Sequence, residues 1–148
     1  MKTAIALAGV SNVGKTRTIR FLYKVFSKYP NAKIVEQYRD KHEECYLITI
    51  NRKTIAFLTA GDPLFIKKFR KLLAEFVARK VQVIVCACRL RGNTMRAVAG
   101  LENKGYDIEW KFCPKLSLKD TDAYNKRRAK KIEKEILRIV GKAHAKRM

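Results

Sequence analysis

The sequence predicts an α/β protein, a three-layer α/β/α sandwich around a mostly parallel central sheet. Three observations lead there. Short apolar runs of strand length alternate with longer stretches of helical periodicity. Residues 81–88 carry Val81, Val83, Ile84, Val85 and Ala87, the composition of a parallel strand covered on both faces. No repeat or low-complexity linker divides the 148 residues, so one domain over 1–148 is expected, ending in a basic helix.

The elements follow in order. Residues 3–8 form a short apolar strand. Residues 15–28 place Ile19, Leu22, Tyr23 and Phe26 on one side of a helix and Arg17, Arg20, Lys24 and Lys28 on the other, and Tyr29-Pro30-Asn31 closes it. Residues 33–38 make a weaker strand. The apolar runs 45–50 and 54–58, joined only by Asn51-Arg52-Lys53, predict an antiparallel hairpin. Asp62-Pro63 opens a helix to about residue 80 with the stripe Phe69, Leu72, Leu73, Phe76 and Val77. After the strand 81–88 come a helix over 93–103 and a strand over 107–113. A last helix starts near Asp120-Thr121-Asp122 and turns Ala129, Ile132, Ile136 and Val140 inward.

Lys and Arg number 34 against 13 Asp and Glu, a net charge of +21, so acidic ligands and nucleic acids are the expected partners. No apolar run approaches the ~20 residues of a membrane span. The first nine residues read as a buried strand and not as a secretory leader. Cys45, Cys86, Cys88 and Cys113 sit inside apolar runs, away from disulfide or metal spacing, which fits a reduced, cytoplasmic setting and core packing.

The most specific feature is Gly9-Val10-Ser11-Asn12-Val13-Gly14-Lys15-Thr16, a match to G-x-x-x-x-G-K-[ST] between an apolar strand and an amphipathic helix. A phosphate chain needs several backbone N–H donors converging on one concavity, and Gly9 and Gly14 let the chain turn without a Cβ in the way. The helix opening at Lys15 offers unpaired N–H groups and the positive end of its dipole. Lys15 is expected to reach the β- and γ-phosphates, and the Thr16 hydroxyl to ligate Mg²⁺. Ser11, Asn12, Val13 and Thr18 complete the expected nucleotide contacts.

On these residues the chain resembles the P-loop NTPases. The resemblance implies a parallel sheet with Mg-nucleotide at the carboxyl ends of its strands. Thr59-Ala60-Gly61-Asp62, after the run 54–58, is similar to the element with which small GTPases sense the γ-phosphate. It departs from them in having Leu58 and Asp62 where that family has Asp and Gln. Gly61 N–H is expected to meet the γ-phosphate, and Asp62 to hold Mg²⁺ through water or orient an attacking water. The competing role for Asp62 is to cap the helix that Pro63 begins. No N-K-x-D is present, so ATP is the first candidate and GTP the second.

Further candidates are less specific. Arg89 and Arg91, in the loop after the central strand, are placed to hold an acceptor phosphate or stabilise the transferring phosphoryl group, or else form a solvated basic loop. Glu36, Asp40, Glu43 and Glu44 are candidates for a general base or solvated loop charges, and His42 has no assigned role. Tyr106, Trp110 and Phe112 divide between core packing and base stacking. The last helix, with Lys126, Arg127, Arg128, Lys130, Lys131, Lys134, Arg138, Lys142, Lys146 and Arg147, is a candidate surface for nucleic acid, for an anionic membrane face, or for solvation alone. Together these residues point to a Mg²⁺-dependent ATPase coupled to nucleic acid or to a partner protein. The alternatives are a small nucleotide or polynucleotide kinase and a nucleotide-binding module without turnover.

Overall fold

A computed structural model describes residues 2–10, 14–39, 44–59, 63–115 and 118–141. It is an α/β structure in which a six-stranded mixed sheet carries four α-helices among the described residues. The order along the chain is β1 (Lys2–Ala8), α1 (Lys15–Ser27), β2 (Lys33–Arg39), β3 (Glu44–Ile50) and β4 (Lys53–Leu58). A short 3₁₀ turn at Pro63–Phe65 leads into α2 (Ile66–Ala78), then β5 (Val83–Cys88) and α3 (Asn93–Ala99). A second 3₁₀ turn (Gly100–Lys104) leads into β6 (Tyr106–Phe112) and α4 (Leu118–Val140).

The strands lie in the order β2-β3-β4-β5-β1-β6. β1 runs parallel to both β5 and β6, and β4 parallel to β5, whereas β2–β3 and β3–β4 are antiparallel. The expectation of a mostly parallel sheet therefore holds only for the β4-β5-β1-β6 half. In the other half the connections are too short for a crossover, so the chain folds back as hairpins. Asn51 and Arg52 form a two-residue turn with φ of 52° and 65°, and Ile50 pairs directly with Lys53. Lys53, expected in the connection, belongs to β4.

Two apolar clusters form on opposite sides of the sheet. Ile5, Leu7, Ile55, Phe57, Val83 and Val85 pack with Ile19, Leu22 and Phe26 of α1 and with Ala129, Ile132, Ile136 and Val140 of α4. Ala4, Ala6, Ala8, Ile84, Cys86 and Cys88 pack with Phe69, Leu73 and Phe76 of α2 and Val98 of α3. The alternation along β1 and β5 thus sends successive residues to different helices. The helix expected over 93–103 ends at Ala99 and tightens into the second 3₁₀ turn, and the one expected from Asp62 becomes regular only at Ile66. No helix among the described residues is long and apolar enough to cross a membrane.

Candidate functional site

The carboxyl ends of β5, β1 and β6 are latched to one another. Gly9 N donates to Cys88 O at 3.1 Å, and Cys113 N donates to Ala8 O at 2.8 Å. From this edge the chain passes through residues 11–13, which lie outside the described residues, and returns at Gly14. There φ is 86° and ψ 16°, a left-handed conformation that favours glycine. Gly14 is the N-cap of α1 and has no side chain to cap this end, and the first turn holds no acidic residue. Ser11, Asn12 and Val13 were expected to bind nucleotide and are not placed.

Lys15 is 9% exposed. Its Nζ donates to Gly9 O at 2.5 Å and Cys88 O at 2.9 Å. Burial, and then the Arg89 guanidinium, pull its pKa below the usual lysine range. The thiols nearby are no anions to balance it: burial pushes Cys88 up to about 11 and Cys113 also upward. Two of the three ammonium protons are occupied by carbonyls, and no carboxylate pairs with the group among the described residues.

Thr16 is half-buried in the first turn of α1. Thr18 is buried and its hydroxyl donates to Gly14 O at 2.9 Å, so it braces the turn from behind. Arg89 is half-buried at the end of β5, where its backbone N–H donates to Thr94 Oγ1 at 3.0 Å, and Arg91 is exposed. The structure thus brings Lys15 and Arg89 together. Gly61 and Asp62 lie outside the described residues. The strand that leads to them, β4, is not beside β1, because β5 stands between. Their starting point is about 10 Å, two strand spacings, from the strand that carries the loop.

Glu44, expected among loop charges, is instead the first residue of β3 and is buried. Arg20 Nε donates to its two oxygens at 3.1 and 2.9 Å, and Tyr46 Oη donates at 2.6 Å. The Arg20 hydrogen bond is the main cause that holds the carboxyl below the usual range. The sequence signal was present but weak: Glu44 and Tyr46 are two apart on a strand and so share a face. Glu36 is exposed and pairs with Arg79 at 2.5 Å. Asp40, His42 and Glu43 lie outside the described residues. Asn125 of α4, which sequence reasoning missed altogether, is buried against Gly14: a Cβ on Gly14 would fall 1.9 Å from Asn125 Nδ2.

Elsewhere, Cys86 and Cys88 are buried on the same side of β5, and no group of three or more His, Cys, Asp or Glu that could hold a metal ion occurs among the described residues. Tyr106 is buried, Trp110 half-buried and Phe112 62% exposed. A groove of about 500 Å³ runs between β6 and α4, lined by Trp110, Phe112, Tyr124, Arg127, Arg128 and Lys131 among others. Lys126, Lys130, Lys134 and Arg138 are exposed along α4, while Lys142, Lys146 and Arg147 lie outside the described residues.

Comparison with known proteins finds no family model, no curated protein and no solved structure that matches this chain.

Proposed function

We propose that the chain binds a nucleoside triphosphate at residues 9–16 and acts on its terminal phosphoryl group, as a Mg²⁺-dependent ATPase coupled to nucleic acid or to a partner protein. The observation that carries this reading is Lys15. Its buried ammonium, without a carboxylate partner among the described residues, stands at the start of α1, where strands β5, β1 and β6 end. A polyphosphate supplies the negative charge this position lacks. Helices on both sides of the sheet support a three-layer arrangement of the P-loop type, with β2-β3-β4 as its antiparallel departure.

In this reading Lys15 exchanges the carbonyls of Gly9 and Cys88 for β- and γ-phosphate oxygens. The N–H groups of the first turn of α1 bind the phosphates between them. The hydroxyl of Thr16 suits Mg²⁺, which enters such sites with the nucleotide and relies on phosphate oxygens for much of its coordination. Arg89, beside Lys15, adds a second positive charge where charge develops during transfer. Gly61 and Asp62, in the same reading, serve the γ-phosphate and the Mg²⁺ or attacking water.

A specific observation favours each alternative. The Lys15–Arg89 juxtaposition also suits a kinase holding an acceptor phosphate. The apolar end of β4 at Leu58, with Glu44 committed to Arg20, suits binding without turnover. The groove between β6 and α4, where an exposed Phe112 adjoins Arg127 and Lys131, is the surface for a nucleic-acid strand.

The test is calorimetric titration with MgATP and with MgGTP, followed by assays for free phosphate and for a phosphorylated acceptor. Wild type is expected to bind, ATP more tightly, and to release phosphate. Lys15→Ala is expected to lose binding while keeping its circular dichroism. Equal binding by wild type and Lys15→Ala, or none by wild type, overturns the reading.

A further inference from the structure

Asn125 is the one feature near the loop that the P-loop reading does not absorb. It comes from α4, far along the chain from residues 9–16. It is 8% exposed, and its Nδ2 finds no hydrogen-bond acceptor among the described residues. A buried amide donor left unpaired costs about 1–3 kcal/mol. Such an orphaned donor calls for an explanation, and a ligand, ion or water from outside the chain is one that satisfies it.

Its position says what that is. Nδ2 lies over Gly14, so close that a Cβ there would overlap it, and Gly14 is the left-handed N-cap of α1. The donor therefore lies against the residue that begins α1, next to the first-turn N–H groups of that helix. A small cleft of about 140 Å³ adjoins it, lined by Arg17, Thr18, Phe21, Asn125 and Lys126. Of the polar groups lining this cleft, Arg17 and Lys126 are cationic, the Thr18 hydroxyl is committed to Gly14 O, and Asn125 brings the unpaired Nδ2 donor beside its own Oδ1 acceptor. The ligand this selects is an acceptor-rich anion.

We propose that Asn125 is a ligand-contacting residue of the phosphate site, its Nδ2 donating to a phosphate oxygen of the bound nucleotide and so joining α4 to the loop. This rests on the reading of residues 9–16 as a phosphate-binding loop and adds a residue that the loop motif does not contain. The contact is to phosphate and not to the base, so it is indifferent to the identity of the nucleoside.

The experiment titrates wild type, Asn125→Ala and Asn125→Asp with MgATP and with magnesium tripolyphosphate, which has no base or sugar. It also records the melting temperature of each protein without ligand. Asn125→Ala is expected to weaken both ligands by the same factor, about tenfold or more, as a hydrogen bond to a charged group is lost. Its unliganded melting temperature is expected to equal or exceed that of wild type, because an unpaired buried donor is removed. Asn125→Asp, of nearly the same shape, is expected to bind still more weakly, since it sets a carboxylate against phosphate. It keeps the test decisive if the alanine variant fails to fold.

Unchanged binding of both ligands by a folded variant overturns the proposal while leaving the loop reading intact. A lowered melting temperature with unchanged affinity makes Asn125 a packing residue and also overturns it. Loss of ATP affinity alone, with tripolyphosphate unaffected, overturns the phosphate contact in favour of the nucleoside. If wild type binds neither ligand, the loop reading fails and the proposal with it.

Discussion

Arg20 and Glu44 join α1 to β3 through a forked contact, with Arg20 Nε 3.1 and 2.9 Å from the two carboxylate oxygens. The carboxylate is buried at 5% side-chain exposure, whereas Arg20 is 47% exposed. Its neighbour Thr59 seals the backbone side: Glu44 N donates to Thr59 Oγ1 at 2.8 Å, and Thr59 N to Glu44 O at 3.0 Å.

The pH dependence of stability follows from this pair. The folded-state pKa of Glu44 is depressed, so its contribution is fully present above the unfolded value of 4.5 and is lost as pH falls through the lower folded value. Urea denaturation between pH 7 and pH 2 is expected to show stability falling below about pH 4.5 in wild type, and a shallower fall in Glu44→Gln. Arg20→Ala, which leaves the carboxylate buried without its main partner, is expected to cost about 2 kcal/mol at pH 7. An identical acid limb in Glu44→Gln would remove the pair from this account.

Gly14→Ala combines two costs. The left-handed backbone at φ 86° penalises a Cβ by about 1–2 kcal/mol. The same Cβ meets Asn125 Nδ2 at 1.9 Å and Cγ at 2.8 Å, so the buried Asn125 side chain must turn away or α4 must shift. The double variant Gly14→Ala/Asn125→Ala is expected to recover the second cost and not the first. A double-mutant cycle of unfolding free energies measures it, and strict additivity would contradict the overlap.

The turn between β3 and β4 is suboptimal at one position. Arg52 sits at φ 65°, where a side chain is disfavoured and glycine is at ease. Arg52→Gly is expected to raise the unfolding free energy by about 0.5–1 kcal/mol, because the strain relieved exceeds the added entropy of the unfolded chain. Thermal denaturation reads this directly, and a fall in melting temperature would refute it.

The basic face of α4 has its own test. If it neutralises about five phosphates, affinity for a nucleic-acid duplex is expected to drop roughly 500-fold between 50 and 200 mM salt. Reversing Lys130, Lys134 and Arg138, all exposed, keeps the buried stripe of Ile132, Ile136 and Val140 intact. The triple variant is expected to show a smaller salt slope and to lose any stimulation of turnover by DNA or RNA. Binding alone would follow from net charge, so the stimulation is the informative readout. If neither polymer alters turnover and the triple variant behaves as wild type, nucleic acid is excluded as a coupled partner.

What the sequence disclosed depended on how local the cause was. Residues 3–8 and 15–28 were readable because an apolar run and a helical stripe each declare themselves within a dozen residues, and the hairpin was readable from its short connection. The strand order was not. Nothing in the composition of β4 or β5 says that β5 inserts beside β1, which sets Thr59 one strand farther from β1. Glu44 looked like a loop charge because its partner, Arg20, is distant in the chain and lies on the polar side of α1. Asn125 was illegible for the same reason: one amide among many lysines acquires meaning only once α4 is laid against Gly14.

Helix α4 is tied to the rest of the molecule near both ends. Asn125 rests on Gly14, and at the other end Asn51 Nδ2 donates to Val140 O and Gly141 O at 2.7 Å each, with Lys53 Nζ on Ile139 O at 2.7 Å. These anchors lie at opposite ends of the strands, Gly14 beyond the carboxyl end of β1 and Asn51 before the amino end of β4, which runs parallel to β5 as β1 does. The sixteen residues from Asn125 to Val140 make a rod of about 22 Å. With the far end held by the turn at Asn51, a displacement of about 2 Å at Asn125 becomes a tilt of about 5°. The exposed lysines and arginines along the rod would swing with it, so the helix is mechanically a lever whose fulcrum is a hairpin turn and whose short stroke is set at the loop.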